Sequence, residues 1–238
     1  MTRATRIAVG ADGSGTTLQA IIDACEAGTV PARVVLVFGN KPEAKAFERA
    51  QKHGIPTVGI PGDAYESEER LAAAFRAFLE RYDVDLICLA GFLRMVPAAI
   101  VREYRWRMMN SHPALLPFFG GKGWFGHHVH EGVLASGMKV AGCSVHFVTE
   151  VYDEGPIIMQ RAVEVLDDDT PESLAARILP HEHEIYVEAI RRFAEGRLKV
   201  VGPPPEAEGA QAWEGRIGSR MRVICFPSAQ DCCCECRP

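Results

Sequence analysis

The sequence has no long hydrophobic run, and this lack excludes a membrane-spanning helix. None of its apolar stretches reaches the roughly 18 residues that a bilayer crossing requires. Residues 1–6 also lack the apolar stretch of a secretory signal peptide. Hydrophobic and charged residues make up ordinary shares of the 238 residues, 47% and 24%. We therefore predict a cytoplasmic protein with no membrane partner.

The chain also lacks an excess of basic residues. Its 26 Lys and Arg stand against 31 Asp and Glu, for a formal net charge of -5. Proteins that bind nucleic acid generally need clustered positive charge. We expect small-molecule substrates as partners, no nucleic-acid partner, and local groups that bind any anionic ligand.

Metal-binding patterns are missing too. Five of the eight cysteines lie in the last fourteen residues, where one Cys-x-x-Cys pair has no second pair at zinc-ribbon spacing. His127, His128 and His130 are close in sequence, but metal-binding helices usually present histidines four residues apart. We predict no metal.

What the sequence does contain is an alternation of short apolar runs with amphipathic stretches. The runs near 7–10, 34–38, 56–60 and 84–90 are continuous, which is typical of strands buried on both faces. Apolar residues at helical spacing lie between them, as at 66–82. This alternation predicts a parallel sheet with right-handed crossovers.

Beyond residue 91 the pattern changes. The runs 140–149 and 156–165 alternate between apolar and polar residues, so they predict antiparallel strands added to the sheet. We expect a single α/β domain over 1–201, with seven mostly parallel strands and antiparallel additions in its C-terminal half. Periodicity stops at a run of three prolines, so we expect 202–238 to be a disordered tail.

Two polar residues end an apolar run. Asn110 and His112 lie two residues apart, and Pro113 prevents the strand from simply continuing. Both side chains therefore lie near a strand end, where open α/β sheets carry their chemistry. An amide and an imidazole can together hold an oxygen on which negative charge develops. A capped loop with one core histidine is the alternative.

Asp153 lies in a turn between two predicted strands. That position can bring it to the end of the sheet beside His112, where a carboxylate favours and orients the imidazolium. Alone, Asp-Glu-Gly-Pro is a turn sequence. We interpret His146, on a predicted strand, as a core residue or a partner of the site.

Small residues open the first predicted helix. At Gly13, Gly15 and Thr16, backbone N–H groups and the helix dipole converge, which favours phosphate. The glycines do not follow the dinucleotide order G-x-G-x-x-G, and no Gly-Lys-Ser/Thr follows them. A tight turn between strand and helix is the alternative.

Four segments occur in an informative order within about residues 5–200. They read Gly-Ser-Gly-Thr-Thr-Leu-Gln-Ala-Ile (13–21), Leu-Ala-Gly-Phe-Leu-Arg-Met-Val (89–96), Asn-Ser-His-Pro-Ala-Leu-Leu-Pro (110–117), and Ser-Val-His-Phe-Val-Thr followed by Asp-Glu-Gly-Pro-Ile-Ile (144–158). Together they resemble the phosphoribosylglycinamide formyltransferase family. The resemblance implies a Rossmann-like, three-layer formyltransferase domain. It also implies formyl transfer from 10-formyltetrahydrofolate to the amine of N1-(5-phospho-D-ribosyl)glycinamide in de novo purine (IMP) biosynthesis.

The resemblance implies roles for individual residues. Asn110, His112 and Asp153 would be catalytic, with Asn110 and protonated His112 stabilising the tetrahedral oxyanion. The folate would bind to Leu93, Arg94, Met95, Val96, Asn110, Thr149, Glu150, Val151 and Tyr152.

The ribonucleotide has its own implied residues. Gly15, Thr16 and Thr17 would hold its phosphate, and Glu182 would meet its ribose hydroxyls. From the residues alone, Glu182 is interpreted as part of a solvated helix face.

The chain departs from the family at several positions. Asp12 stands where Ser is common, near the phosphate loop. Glu68 stands where some members have an Arg near the glutamate tail of folate, and Arg70 could substitute for it. Gly120 replaces a frequent Pro, which should loosen the loop 118–126.

Other functions are compatible with the same core. Methionyl-tRNA formyltransferase and formyltetrahydrofolate deformylase resemble it, but we expect neither the extra carboxy-terminal nor the extra amino-terminal domain of those enzymes here. A catalytically silent folate- or phosphate-binding protein is an alternative from another class. We expect a monomer or a weak homodimer.

Overall fold

The computed structural model describes residues 3–61, 65–202 and 221–227. In chain order the elements are β1 (Thr5–Gly10), α1 (Thr16–Glu26), β2 (Ala32–Gly39), α2 (Lys45–Lys52), β3 (Thr57–Gly59), α3 (Glu68–Arg81), β4 (Leu86–Leu89), α4 (Ala98–Glu103), β5 (Met108–His112), α5 (His127–Ala135), β6 (Val140–Phe147), β7 (Ile157–Glu164), α6 (Pro171–Ala194), β8 (Leu198–Val201) and β9 (Arg222–Cys225). None of the helices in these ranges combines the length and apolarity that a bilayer crossing needs.

The main sheet has the strand order β3-β2-β1-β4-β5-β6-β7. The pairings among β1 to β5 are parallel, whereas β6 pairs antiparallel with both β5 and β7. The predicted seven-stranded, mostly parallel sheet with antiparallel additions is therefore confirmed. The strand order reverses between β1 and β4, so the crevice at their carboxyl ends is the expected place for ligands.

Helices cover both faces of the sheet. One apolar cluster contains α1 and α6 residues such as Leu18 and Tyr186, and the other contains α3 and α4 residues such as Phe75 and Ile100. The hydroxyl of Tyr186 donates to the carbonyls of Leu89, at 2.9 Å, and Met109, at 3.0 Å. This buried phenol ties α6 to the ends of β4 and β5, the strands that flank the site.

The predicted tail contains a strand. Arg222–Cys225 forms β9 and pairs antiparallel with β8, and Arg197 Nε donates to the carbonyl of Phe226 at 2.6 Å. The expectation of a disordered tail is wrong for these residues. Four residues carry too little periodicity to reveal a strand whose partner lies more than twenty residues earlier. The other four tail cysteines lie outside the described residues.

Candidate active site

Strand β5 carries three successive polar side chains at the carboxyl end of the parallel strands. Asn110 pairs with Leu89 of β4 on one side and with His146 of β6 on the other. Because side chains alternate along a strand, Asn110 and His112 point to one face of the sheet, and Ser111 points to the other. The site therefore has two halves that share one strand.

On the first face, the carboxylate of Asp153 lies among three polar side chains. Its Oδ2 is 3.7 Å from His112 Nδ1, and its Oδ1 is 3.5 Å from both His146 Nε2 and Asn110 Nδ2. The backbone N–H of Gly121 donates to Oδ2 at 2.9 Å. The structure thus brings the three predicted catalytic residues together, at distances of the kind that tighten when a substrate binds.

The imidazole of His112 is oriented by a backbone carbonyl. Its Nε2 lies 2.6 Å from the oxygen of Phe119, and a carbonyl can only accept, so Nε2 carries a proton. Nδ1 is then the atom that faces Asp153. Only 4% of the surface of His112 is exposed, so its ring is held within the protein.

The two ionisable groups are shifted in the same direction for different reasons. Burial lowers the pKa of His112 more than Asp153 and the Phe119 carbonyl raise it. Burial raises the pKa of Asp153, but His146, His112 and the Gly121 N–H together hold it below its usual value. The resting site therefore pairs an anionic Asp153 with a His112 that is neutral near pH 7. Asp153 does favour the imidazolium, as the sequence predicts, but desolvation outweighs it.

His146 also belongs to this cluster. From the sequence it could be either a core residue or a partner of the site, and its contacts are those of a partner. Its Nε2 is 3.2 Å from Asn110 Nδ2, and its Nδ1 is 2.9 Å from the carbonyl of Phe147. The register between β5 and β6 places His146 directly opposite Asn110. No sequence signal reveals that register, because antiparallel pairing is decided by the sheet as a whole.

A cavity of about 360 Å³ opens beside the cluster. Of the nine residues predicted to bind folate, all but Glu150 line it. Glu150 instead pairs with Arg102 at 2.8 Å, with 47% of its side chain exposed. Inside the cavity wall, Arg94 Nη1 is buried and, among the described residues, has no hydrogen-bond partner. A ligand that supplies an acceptor there would satisfy it.

The second face of β5 carries a different carboxyl group. Ser111 Oγ donates to Glu182 Oε1 at 2.8 Å, and the hydroxyl of Thr17 also bonds to this carboxyl. Burial raises the pKa of Glu182, and these two hydroxyls only partly offset that effect. The interpretation of Glu182 as part of a solvated helix face is therefore wrong, because α6 turns this residue towards β5 and the start of α1.

The predicted phosphate loop opens α1. Gly15 is the N-cap residue with φ of 69°, and a Cβ there would lie 2.7 Å from Ala46 Cα, so only glycine fits. Within the described residues, no side chain caps this helix and its first turn has no acidic residue. Thr16 and Thr17 thus begin a helix whose N–H groups are available to an anion.

Three departures from the family have structural roles. Asp12 is buried and accepts from Asn40 N at 2.5 Å, Asn40 Nδ2 at 2.7 Å and Leu93 N at 2.9 Å. Glu68 accepts from Ala98 N at 3.0 Å, at the start of α4. The negative charge of Asp12 is thus engaged by three donors.

The backbone at Gly120, in the loop 118–126, passes close to Leu116 and Asp153. A Cβ there would lie 2.6 Å from Leu116 Cδ2 and 3.2 Å from Asp153 Cβ. Its role is to let the loop pass close to Asp153, a constraint that the sequence does not show. Arg70, the suggested substitute near the folate tail, pairs with Glu66 at 3.0 Å.

Over the part of the chain that the structure describes, no group of three or more His, Cys, Asp or Glu side chains is arranged to hold a metal ion. His127 and His128 instead pair with Glu172 and Glu131, at 2.9 Å and 3.2 Å.

Known proteins are similar to this chain over most of its described domain. The formyl transferase family model matches residues 5–190. Phosphoribosylglycinamide formyltransferase of Escherichia coli is 40% identical over 79% of this chain and 86% of that protein. The chloroplastic phosphoribosylglycinamide formyltransferase of Arabidopsis thaliana is 41% identical over 83% of this chain and 68% of that protein.

A solved structure is also similar. The crystal structure of glycinamide ribonucleotide transformylase 1 from Symbiobacterium toebii is 43% identical, with a TM-score of 0.80 over 94% of this chain and 96% of that chain. The chain therefore belongs to the formyl transferase family and, within it, to the phosphoribosylglycinamide formyltransferases.

Proposed function

We propose that this chain transfers the formyl group of 10-formyltetrahydrofolate to the amine of N1-(5-phospho-D-ribosyl)glycinamide, in de novo purine (IMP) biosynthesis. The observation that carries the proposal is the position of Asp153 beside both Asn110 and His112, at the mouth of an apolar cavity. An acyl-transfer site needs donors for a developing oxyanion and a group that moves a proton, and this cluster contains both.

The two halves of the site suit the two substrates. A flat pterin suits the cavity lined by Leu93, Met95 and Val96, which offers apolar walls and backbone partners. A phosphate dianion suits the start of α1. We propose that Glu182 meets the ribose hydroxyls; its carboxyl already accepts a hydrogen bond from the hydroxyl of Ser111 and bonds to that of Thr17, which supports this role.

The chemistry follows from the protonation of the resting site. The substrate amine attacks the formyl carbon, which leaves a positive nitrogen and a negative oxygen. Neutral His112 takes a proton from that nitrogen, directly or through water, and the resulting imidazolium and the Asn110 amide stabilise the oxyanion. Asp153 stabilises the imidazolium. His112 then returns the proton to N10 of the folate as the C–N bond breaks, so the reaction needs no metal.

Formyl transfer by the purified chain tests this function. We expect formylated ribonucleotide and tetrahydrofolate in equal amounts when both substrates are present. His112→Gln serves as the matched control, because it keeps a polar side chain of similar size but cannot accept the proton. Formate release without the ribonucleotide would indicate a deformylase, and formylation of methionyl-tRNA would indicate that enzyme. Binding of both ligands without turnover would indicate a silent binding protein.

Two further properties belong to the proposal. We expect a monomer or a weak homodimer, which sedimentation at several concentrations would measure. We also expect a cytoplasmic enzyme, which imaging of the tagged protein in its own cells would test.

A further inference from the structure

Two hydrogen bonds at the catalytic cluster come from the backbone of one loop, residues 118–126. The carbonyl of Phe119 accepts from His112 Nε2 at 2.6 Å, and the N–H of Gly121 donates to Asp153 Oδ2 at 2.9 Å. Neither contact uses a loop side chain, so the path of the loop backbone determines both. A shift of the loop would disturb the base and its carboxylate together.

The backbone on both sides of these contacts is strained. Phe119 has φ of 51° and Asp153 has φ of 54°, a region that side-chain-bearing residues rarely adopt. Such conformations persist only where surrounding structure holds them, and they concentrate at functional sites. Something must therefore hold the loop in place.

The indole of Trp124 packs inside this loop and against α5. Its ring packs edge-to-face on Phe119, with centroids 5.2 Å apart and an interplanar angle of 75°. The far edge of the indole lies directly over Gly132 of α5. A Cβ on Gly132 would lie 2.4 Å from Trp124 Cζ3, 2.7 Å from Cη2 and 3.0 Å from Phe119 Cδ1. Glycine is unfavourable inside a helix, so its presence here fits a need for space.

We infer that Trp124 and Gly132 are positioning residues. The indole of Trp124 packs on Gly132 and thereby fixes the loop 118–126, so that the loop backbone orients His112 and Asp153 for formyl transfer. The inference rests on the proposed function, because it takes the chemistry of His112 and Asp153 from there. Trp124 also lines the cavity, whereas Gly132 lies behind the loop on α5. Gly132 therefore allows the hold on the loop to be tested without changing a cavity wall.

The expected sign of the effect follows from the groups around His112. Asp153 and the Phe119 carbonyl raise the pKa of His112, His146 lowers it, and His130 of α5 is also close enough to interact. Displacing the loop removes the Phe119 contact and, with the Gly121 N–H, the hold on Asp153, so it weakens both groups that raise this pKa, while β5 keeps the imidazole buried. The imidazole should then lose its proton at lower pH than in the wild type.

Gly132→Ala is the decisive variant, because the added methyl group must push the indole and the loop aside. We expect kcat to fall about 10- to 100-fold, the cost of a small misplacement of reacting groups. The KM for the ribonucleotide should not change. The imidazole signal of His112 in nuclear magnetic resonance should titrate at lower pH. The variant should still fold, because alanine favours a helix more than glycine does and the clash is with side chains of a surface loop.

A second substitution provides a rescue. Trp124→Phe removes the far edge of the indole, so the double variant Gly132→Ala/Trp124→Phe should recover most of the lost kcat. Glu131→Ala is the matched control on the same helix, since Glu131 is exposed and pairs only with His128 in the described structure. It should behave like the wild type.

The outcomes separate this inference from the proposed function. A Gly132→Ala enzyme with wild-type kcat and an unchanged His112 titration would overturn the inference. If the wild type shows no formyl transfer, the proposed function fails, and the His112 titration still decides whether Gly132 controls the imidazole. If Gly132→Ala does not fold, a double variant that folds but regains neither kcat nor the wild-type His112 titration would also overturn the inference.

Discussion

Asp153 and Glu182 are two partly buried carboxyl groups beside opposite faces of β5, and their pKa values shift in opposite directions. Burial raises the pKa of both. For Asp153, two imidazoles and a backbone N–H more than reverse that effect, whereas Glu182 has only the hydroxyls of Ser111 and Thr17. The charge and number of the donors, rather than burial, therefore set the direction of each shift. The two carboxyl groups thus have different electrostatic surroundings, although they lie beside the same strand.

Asp153→Asn should have the largest effect, because it removes the negative charge of the side chain and keeps its shape. We expect kcat to fall about 10²- to 10⁴-fold, the range of general acid–base catalysis. Without Asp153 the pKa of His112 falls further, so the acidic limb of the kcat profile should move to lower pH. Rates measured against pH for both proteins test this. A variant with wild-type rate and profile would remove Asp153 from the mechanism.

Asn110→Ala tests whether Asn110, on the same face of β5, donates a hydrogen bond to the oxyanion. Loss of one oxyanion donor typically lowers kcat by about 10²- to 10³-fold. The double variant with Asp153→Asn should lose much less than the product of the single losses, since residues of one catalytic unit are strongly non-additive. Steady-state kinetics of the four proteins measures this. Strict multiplication of the two losses would show that the residues act independently.

Thr16→Asp tests the other face, where the ribonucleotide is expected at the start of α1. A like charge near the phosphate should cost about 1 to 4 kcal/mol, depending on the effective dielectric constant. The KM for the ribonucleotide should rise several-fold or more, and folate affinity should be unchanged. Thr16→Asn is the uncharged control. If both affinities fell together, a folding defect rather than charge would explain the result.

Glu182→Gln should have the smallest effect of the four substitutions. It tests the difference between the two carboxyl groups through the pH dependence of protein stability. Because the pKa of Glu182 is raised on folding, its stabilising contribution is full below the unfolded pKa of about 4.3 and is lost as the pH rises through the folded value. Gln does not titrate. The variant should therefore gain stability relative to the wild type as the pH rises from about 4 to about 8. Urea unfolding at both pH values measures this.

The contribution of Asp153 to stability should change with pH in the opposite direction, so Asp153→Asn can be compared directly with Glu182→Gln. Its pKa is lowered on folding, so its contribution is present above the unfolded pKa of about 3.9 and is lost as the pH falls. Asp153→Asn should therefore lose stability relative to the wild type as the pH rises. If both variants changed with the same sign, the contrast between the two faces would be wrong.

Much of the fold and part of the site could be predicted from local patterns. Continuous apolar runs indicated parallel strands, alternating runs indicated β6 and β7, and Pro113 marked the end of β5 beside Asn110 and His112. These features depend on residues that are close together in the chain, so apolar periodicity and the backbone restrictions of proline are enough to predict them. The position of Asp153 between two predicted strands also indicated that it could lie beside His112, whereas only the family resemblance gave Glu182 a role beyond a solvated helix face.

Other features were decided only when the chain packed. His146 lies opposite Asn110 because of strand register, β9 forms because β8 is available to it, and Glu182 contacts Ser111 because α6 turns it towards β5. The neutrality of His112 near pH 7 is of the same kind, since it results from desolvation competing with a carboxylate on a distant loop. The sequence by itself determined which elements form and which polar residues end β5. The tertiary structure decided partners, burial and charge, because these depend on groups that are far apart in the chain and meet only after folding.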